Sequence, residues 1–238
     1  MPPHKASLGF GVMRLPQLDN GQYDIQECVR MVDEYMKGDF RYFEVAPYYC
    51  KQLSQAIIRE LVVKRYPRDS FLLANKMPWN INNPKEYEQI FLAELKDCAV
   101  NYFDYYMLHA LSAEYIDMHE RMGGFEFLKF IKAKGFVRRI GFSFHDKPEV
   151  LEKILTAHPE MEFVQLQINY FDWEDPIFRS RQLYETAKCF GKQIIVMEPV
   201  KGGTLAKLEK MRGDISVDQN EFARLAFNFV RALDVDII

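Results

Sequence analysis

Four side chains suited to proton transfer stand in, or directly after, three apolar segments of the chain. They are Glu44 within the segment 42–46, a phenol from Tyr48 or Tyr49 directly after it, Lys76, which ends the segment 71–76, and His109, which ends the segment 103–109. If these segments are neighbouring parallel strands, their carboxyl ends lie at one edge of a sheet, where barrel enzymes place their active sites. The sequence therefore predicts one pocket that holds a carboxylate, a phenol, an ammonium and an imidazole.

Such a set of groups can protonate an oxygen atom. A tyrosine has a pKa near 10, so it gives up its proton readily only where a cation stabilises the phenolate. Lys76 can supply that cation, and Glu44 can keep the ammonium charged and oriented. His109 can donate a hydrogen bond that polarises a carbonyl. No amino acid supplies a hydride, so a reduction at this pocket requires a nicotinamide cofactor.

Taken singly, each of these residues has a structural explanation. A lysine after a strand often marks the exit of the chain to solvent, and a tyrosine or histidine often closes the end of a barrel. The conjunction of four such groups at successive strand ends favours a functional pocket.

Strand-like and helix-like segments alternate along the chain. The predicted strands are 8–12, 42–46, 71–76, 103–109, 139–144, 163–168, 193–198 and 234–238. Several of them are apolar throughout, as strands buried on both faces are, and apolar residues between them recur with the period of a helix. Eight such units predict an α/β fold, a (β/α)₈ TIM barrel, with an open doubly wound sheet as the alternative. The barrel is favoured because Gly9-Phe10-Gly11 continues to Arg14 where a dinucleotide fingerprint has its third glycine.

Composition limits the class of protein. The 238 residues have a net charge of -3 and 48% hydrophobic content, so a single domain over 1–238 with a large core is expected, without affinity for nucleic acid or for a membrane. No apolar stretch reaches the about 20 residues of a membrane span, and Met1–Lys5 begins no signal peptide. The four cysteines are scattered, which indicates a reducing cytoplasm and no metal site.

In combination, six motifs of the chain resemble those of the aldo-keto reductases, from about residue 8 to the end. They are 42-YFEVAPYY-49, 73-LANK-76, 104-DYYMLH-109, 140-IGFSFH-145, 164-VQLQINY-170 and 196-VMEPVKGG-203. The last three look most like the bacterial branch that often carries a C-terminal iron-sulfur domain, although that cysteine-rich domain is absent from these residues.

The resemblance implies a (β/α)₈ barrel that reduces a small carbonyl substrate with NADPH, or alternatively NADH. The family's catalytic tyrosine falls on Tyr49, five residues after Glu44, which makes Tyr48 a neighbour in the pocket. The family's lysine and histidine fall on Lys76 and His109. The positions that the resemblance implies for cofactor binding are Ser143 and Gln165 at the nicotinamide carboxamide, and Pro199, Val200, Lys201, Gly202 and Gly203 at the pyrophosphate.

Three residues depart from the family pattern. Glu44 replaces the usual aspartate, Val45 replaces the usual threonine, and Phe144 stands where many members have an asparagine that binds nicotinamide. These departures motivate an alternative function, that of a catalytically weakened barrel that binds nucleotide as a sensor or subunit. The chain also stops at Ile238, so the part of the barrel beyond strand eight is expected to be missing.

The variable loops that set specificity in this fold leave the substrate unidentified, and the oligomeric state is not predicted. Trp79, Phe171 and Trp173 follow strand ends and are candidates for lining an apolar pocket.

Overall fold

A computed structural model describes residues 7–207 and 219–238. The prediction made for Met1–Lys5 lies outside these residues. The described chain divides into two compact units, one comprising Leu8–Phe142 and the other comprising Ser7 with the described part of Ser143–Ile238. Among the described residues, no helix combines the length and apolar character that crossing a bilayer requires.

The first unit is built on parallel strands that pair in chain order. The strands are β1 (Gly9–Gly11), β2 (Tyr42–Glu44), β3 (Leu72–Met77) and β4 (Phe103–Leu111), and β5 (Val137–Phe144) follows, with its last two residues in the second unit. In β2 and β3, Glu44 pairs with Ala74, and in β3 and β4, Lys76 pairs with Met107. These segments form strands because apolar residues occupy both faces, and β2 is buried at all three positions.

Helices connect these strands. They are α1 (Ile25–Lys37), α2 (Ser54–Ile58), α3 (Lys85–Cys98), α4 (Ala113–Met122) and α5 (Gly124–Ala133). The Asp24 side chain caps α1 by accepting a hydrogen bond of 2.9 Å from the Glu27 amide. The segment of helical period between the second and third predicted strands begins as α2 and changes to a π-helical turn at Arg59–Val63. The α4 helix was not predicted, because only Ile116 and His119 of its ten residues are buried.

The second unit alternates helices with two paired strands. It contains α6 (Pro148–Ala157), β6 (Phe163–Gln167), α7 (Ser180–Cys189), β7 (Gln193–Met197) and α8 (Gln219–Arg231). Strands β6 and β7 run parallel, with Gln165 opposite Ile195. The α7 helix was not predicted, since its buried hydrophobic side chains are only Leu183 and Ala187.

The predicted eighth strand is reduced to one bridging residue. Ile237 forms isolated parallel bridges with Ile195 and with Ser7. The Asp236 carboxylate accepts a hydrogen bond of 2.9 Å from the Ile194 amide, so a side chain takes part in the pairing where a regular ladder uses backbone carbonyls alone.

Candidate active site

A buried lysine lies at the centre of the predicted constellation in the first unit. The Lys76 Nζ atom lies 2.8 Å from Glu44 Oε1 and donates a hydrogen bond of 3.0 Å to the Tyr49 hydroxyl. The Lys76 side chain is 2% exposed and that of Glu44 is 10% exposed. A carboxylate, an ammonium and a phenol therefore form one connected chain of contacts.

The register of the sheet accounts for these contacts. Side chains at alternate positions of a strand point to the same face, so Lys76 shares a face with Ala74, the partner of Glu44. Glu44 reaches diagonally along the sheet, past the small Ala74, to a lysine two residues further on. The length of a glutamate suits that diagonal distance.

Charge keeps Lys76 protonated. Burial alone would favour the neutral amine, but the facing charge of Glu44 and the contact with Tyr49 outweigh it and raise the pKa of Lys76 above the ordinary lysine value. The ammonium is therefore present at neutral pH and is aimed at the phenol oxygen.

Tyr49 is held by a tight turn at the end of β2. Its amide donates a 3.0 Å hydrogen bond to the Ala46 carbonyl, which also accepts a 2.6 Å bond from the Ser54 hydroxyl. The residues that follow, Cys50–Gln52, all have positive φ, between 51° and 69°. The left-handed conformation costs roughly 1–2 kcal/mol per non-glycine residue, so the surrounding contacts impose this turn. One such contact joins the Cys50 thiol to the Val12 carbonyl at 3.1 Å.

The structure distinguishes the two adjacent tyrosines. Tyr49 contacts Lys76, whereas the Tyr48 hydroxyl donates a hydrogen bond to the Asn80 side chain and Tyr48 is 37% exposed. Of these two phenols, Tyr49 is therefore the one whose hydroxyl lies within hydrogen-bonding distance of the ammonium in the described part of the chain.

His109 lies beside Tyr49, and an aromatic wall continues from it. The His109 ring meets the Tyr49 ring edge to face, with centroids 6.0 Å apart, and the Trp79 ring at 5.0 Å. Trp79 also contacts Tyr48 at 4.8 Å. An imidazole and a phenol thus border a surface lined by aromatic rings.

The second unit contains the predicted nicotinamide positions. Ser143 and Gln165 are buried, with 0% and 2% exposure. A hydroxyl and a carboxamide are the donor and acceptor types that an amide group requires, so these two residues fit the nicotinamide carboxamide by their chemistry. Phe144, which replaces the expected asparagine, is also buried.

The predicted pyrophosphate loop is a strained turn after β7. Glu198 and Lys201 have φ of 58° and 49°, and Gly202 and Gly203 continue with 62° and 91°. The Lys201 ammonium forms an ion pair of 2.5 Å with Asp172, whose side chain is fully buried. The ion pair of Lys201 therefore ties this loop to Asp172. Gly202 and Gly203 allow the loop to turn through positive φ values, which residues with a side chain rarely adopt.

Two residues of these sites were missed from sequence. The Tyr42 hydroxyl donates a 3.1 Å hydrogen bond to Glu44 Oε2, and the alternation of side chains along a strand could have placed Tyr42 on the same face as Glu44. Asp172 is the partner of Lys201 across 29 residues of sequence, and no local pattern pointed to it. The three aromatic residues proposed to line a pocket have different surroundings. Trp79 contacts His109, Phe171 is 60% exposed, and Trp173 packs on Phe229 with centroids 5.4 Å apart.

Comparison with known proteins identifies the family. The model of the aldo/keto reductase family matches residues 7–234, which is nearly the whole chain. The chain therefore belongs to the aldo/keto reductase family, whose fold is the α/β barrel that the sequence predicts. Family and fold support a carbonyl-reducing oxidoreductase. Among curated proteins, none matches the chain at a significant level.

Solved structures agree with this fold. An aldo-keto reductase of Bacillus halodurans in its holo form matches with a TM-score of 0.75 and 20% identity, covering 98% of this chain and 81% of that chain. An aldo-keto reductase of Klebsiella pneumoniae in complex with NADPH matches with a TM-score of 0.74 and 15% identity, covering 100% and 84%. An aldo/keto reductase of Brucella melitensis matches with a TM-score of 0.66 and 18% identity, covering 97% and 82%.

Proposed function

We propose that this protein reduces an aldehyde, ketone or related carbonyl with a nicotinamide cofactor, and that Tyr49 is the proton donor. The contact of the Lys76 ammonium with both Glu44 and the Tyr49 hydroxyl carries the proposal. An ammonium held beside a phenol lowers the free energy of the phenolate that remains after proton transfer.

Each residue has a separate task in this proposal. Tyr49 gives its proton to the carbonyl oxygen as negative charge develops there. Lys76 stabilises the phenolate, and Glu44 keeps the ammonium in place. His109 donates a hydrogen bond that orients and polarises the carbonyl. The aromatic ring of Trp79 beside His109 covers part of this surface and limits the access of water.

The cofactor in this proposal is NADPH, with NADH as the other possibility. When bound, the nicotinamide supplies the hydride for the carbonyl carbon. Ser143 and Gln165 would hold its carboxamide, and the loop Pro199–Gly203 would bind its pyrophosphate. The NADPH complex of the Klebsiella pneumoniae relative supports nicotinamide use. The substrate of this reaction is a small carbonyl compound, and the expected location is the cytoplasm.

A substitution of the phenol tests the proposal. Tyr49→Phe removes the proton donor, so kcat for a panel of aldehydes and quinones is expected to fall by about 10²–10⁴-fold, while the affinity for NADPH, titrated by its fluorescence, stays unchanged. Tyr48→Phe is the matched control, because it removes a neighbouring phenol that bonds to Asn80 instead of Lys76, and it should retain activity within a few-fold.

Two results would contradict parts of the proposal. Wild-type rates in Tyr49→Phe would show that another group donates the proton. Binding of NADPH by the wild type without turnover of any carbonyl would favour the nucleotide-binding alternative. Restoration of turnover by Glu44→Asp would then identify the longer carboxylate as its cause.

A further inference from the structure

Tyr42 lies two residues before Glu44 in β2, so the two side chains are on the same face of the strand. The Tyr42 side chain is buried at 3% exposure, and its ring packs edge to face on Tyr105 with centroids 5.3 Å apart. Its hydroxyl donates a 3.1 Å hydrogen bond to Glu44 Oε2. The phenol is therefore fixed at both its ring and its hydroxyl.

The carboxylate of Glu44 is held by different groups at its two oxygens. Oε1 lies 2.8 Å from the Lys76 ammonium, and Oε2 accepts the bond from Tyr42. A glutamate has one more rotatable bond than an aspartate, so it needs a further anchor to hold its carboxylate in one orientation. Tyr42 provides that anchor two residues away on the same strand.

Tyr42 remains a donor across the working pH range. Burial, together with the neighbouring charge of Glu44, raises the pKa of Tyr42 well above that of an ordinary tyrosine. The hydroxyl thus keeps its proton when Glu44 is ionised, and its bond to the carboxylate is charge-assisted.

We propose that Tyr42 is a positioning residue for the proposed reduction: it fixes the carboxylate of Glu44 so that Lys76 stays directed at the Tyr49 hydroxyl. One chain of hydrogen bonds then runs from Tyr42 through Glu44 and Lys76 to Tyr49. In this chain Tyr42 compensates for the greater length of Glu44 relative to an aspartate. This inference rests on the function proposed above, since it assigns Tyr42 to the same proton transfer.

Removing the hydroxyl has a predictable effect. In Tyr42→Phe, Glu44 loses one of the bonds that hold its carboxylate, and its charge is less dispersed. The carboxylate then draws the ammonium away from Tyr49, which leaves the phenolate less stabilised. The ionisation of Tyr49 shifts to higher pH, and kcat at pH 7 falls about tenfold, as expected for the loss of a hydrogen bond to a charged group.

A double-mutant cycle with Glu44→Asp separates positioning from general stability. The shorter aspartate cannot span the distance to both partners, so Tyr42→Phe should reduce kcat about tenfold with Glu44 and less than threefold with Asp at position 44. Tyr35→Phe is the matched control. It removes another buried phenol of the same region, whose hydroxyl donates to the carbonyls of Leu8 and Tyr42 at 2.7 and 2.8 Å, and it should lower stability without changing kcat or its pH profile.

The ionisation of Tyr49 is measured independently of turnover. Alkaline difference absorbance of each protein against its Tyr49→Phe counterpart reports that phenol alone. A higher pKa in Tyr42→Phe and an unchanged one in Tyr35→Phe support the proposal. An equal loss of kcat in both backgrounds, or an unchanged Tyr49 titration, overturns it. Absence of turnover in the wild type refutes the function proposed above, and the Tyr49 titration still decides the role of Tyr42.

Discussion

A buried histidine of the first unit makes stability depend on pH. His119 in α4 has 0% exposure. Its Nδ1 atom lies 2.7 Å from the Tyr87 hydroxyl, and among the described residues its Nε2 atom has no hydrogen-bond partner. Burial lowers the pKa of His119 from 6.5 to about 4, because a charged imidazole would lose its hydration there.

The magnitude follows from that shift. Between pH 6.5 and 4 the unfolded chain binds a proton that the folded chain excludes, so acid stabilises the unfolded state. A difference of about 2.5 pKa units lowers the free energy of unfolding by about 3.4 kcal/mol once the pH is below the pKa of His119 in both the folded and the unfolded chain. Between pH 7 and pH 5, the same values give a loss of about 2 kcal/mol in the free energy of unfolding.

Urea denaturation at pH 7 and pH 5 measures this effect. His119→Asn removes the titrating group and can still accept a hydrogen bond from Tyr87. Between pH 7 and pH 5, the loss in the free energy of unfolding should therefore be about 2 kcal/mol smaller for this variant than for the wild type. Tyr87→Phe is the control. Because burial alone lowers the pKa of His119, this variant should lose stability at both pH values and keep the wild-type pH dependence. Equal acid losses in wild type and His119→Asn would refute the reasoning.

Three further predictions concern single contacts. Glu94 is buried and accepts a 2.6 Å hydrogen bond from Tyr106, and burial raises its pKa well above the usual glutamate value. As the pH rises, Glu94 therefore loses its proton in the unfolded chain before it does so in the folded chain, which lowers the stability of the wild type. Urea titrations should show that Glu94→Gln is more stable than the wild type, by an amount that is larger at pH 7 than at pH 5. A methyl group at Gly124 would lie 2.8 Å from both His119 Nδ1 and the Tyr87 hydroxyl, so Gly124→Ala should lower the free energy of unfolding by about 1–3 kcal/mol. Gly11→Ala is the control and should change the free energy of unfolding little, because its methyl group would meet no atom within 4 Å. Lys201→Met should raise KM for NADPH about tenfold by releasing the loop from Asp172, with kcat at saturation unchanged, whereas Lys188→Met, which breaks a surface pair with Asp234, should alter neither constant.

The sequence was sufficient to bring Glu44, Tyr49, Lys76 and His109 together. Their strands are apolar on both faces, so polar side chains are expected mainly at the strand ends, and parallel strands bring their carboxyl ends to one edge of the sheet. The choice of Tyr49 over Tyr48 came from the resemblance to the aldo-keto reductases, whose catalytic tyrosine falls on this position, and in the structure this phenol contacts the lysine. Local pattern and strand topology were enough to group the strand ends, whereas the choice between the two tyrosines depended on the family resemblance.

The sequence was not sufficient where a contact depends on tertiary packing. Asp172 has no local signal as the partner of Lys201, because the pair forms only when the loops after β6 and β7 are in place. The left-handed turn at Cys50–Gln52 lacks a glycine, so residue type predicted no positive φ there. The surrounding fold imposes that conformation.

Two lysines in the described part of the chain pair with a buried carboxylate, Lys76 with Glu44 and Lys201 with Asp172, and the surroundings of the two pairs differ. Such pairs contribute little to stability, because the cost of removing both charges from water offsets their attraction. Lys201 and its carboxylate are held by other fixed groups: two amide side chains, Gln167 and Asn169, bond Asp172 at 2.8 Å, and the Phe178 ring lies 4.5 Å from the ammonium. That arrangement satisfies the ammonium within the loop and holds a strained backbone. Lys76 instead donates a hydrogen bond to the Tyr49 phenol, the group whose proton leaves in the proposed reduction. The difference between the two pairs favours a structural role for Lys201 and a chemical role for Lys76.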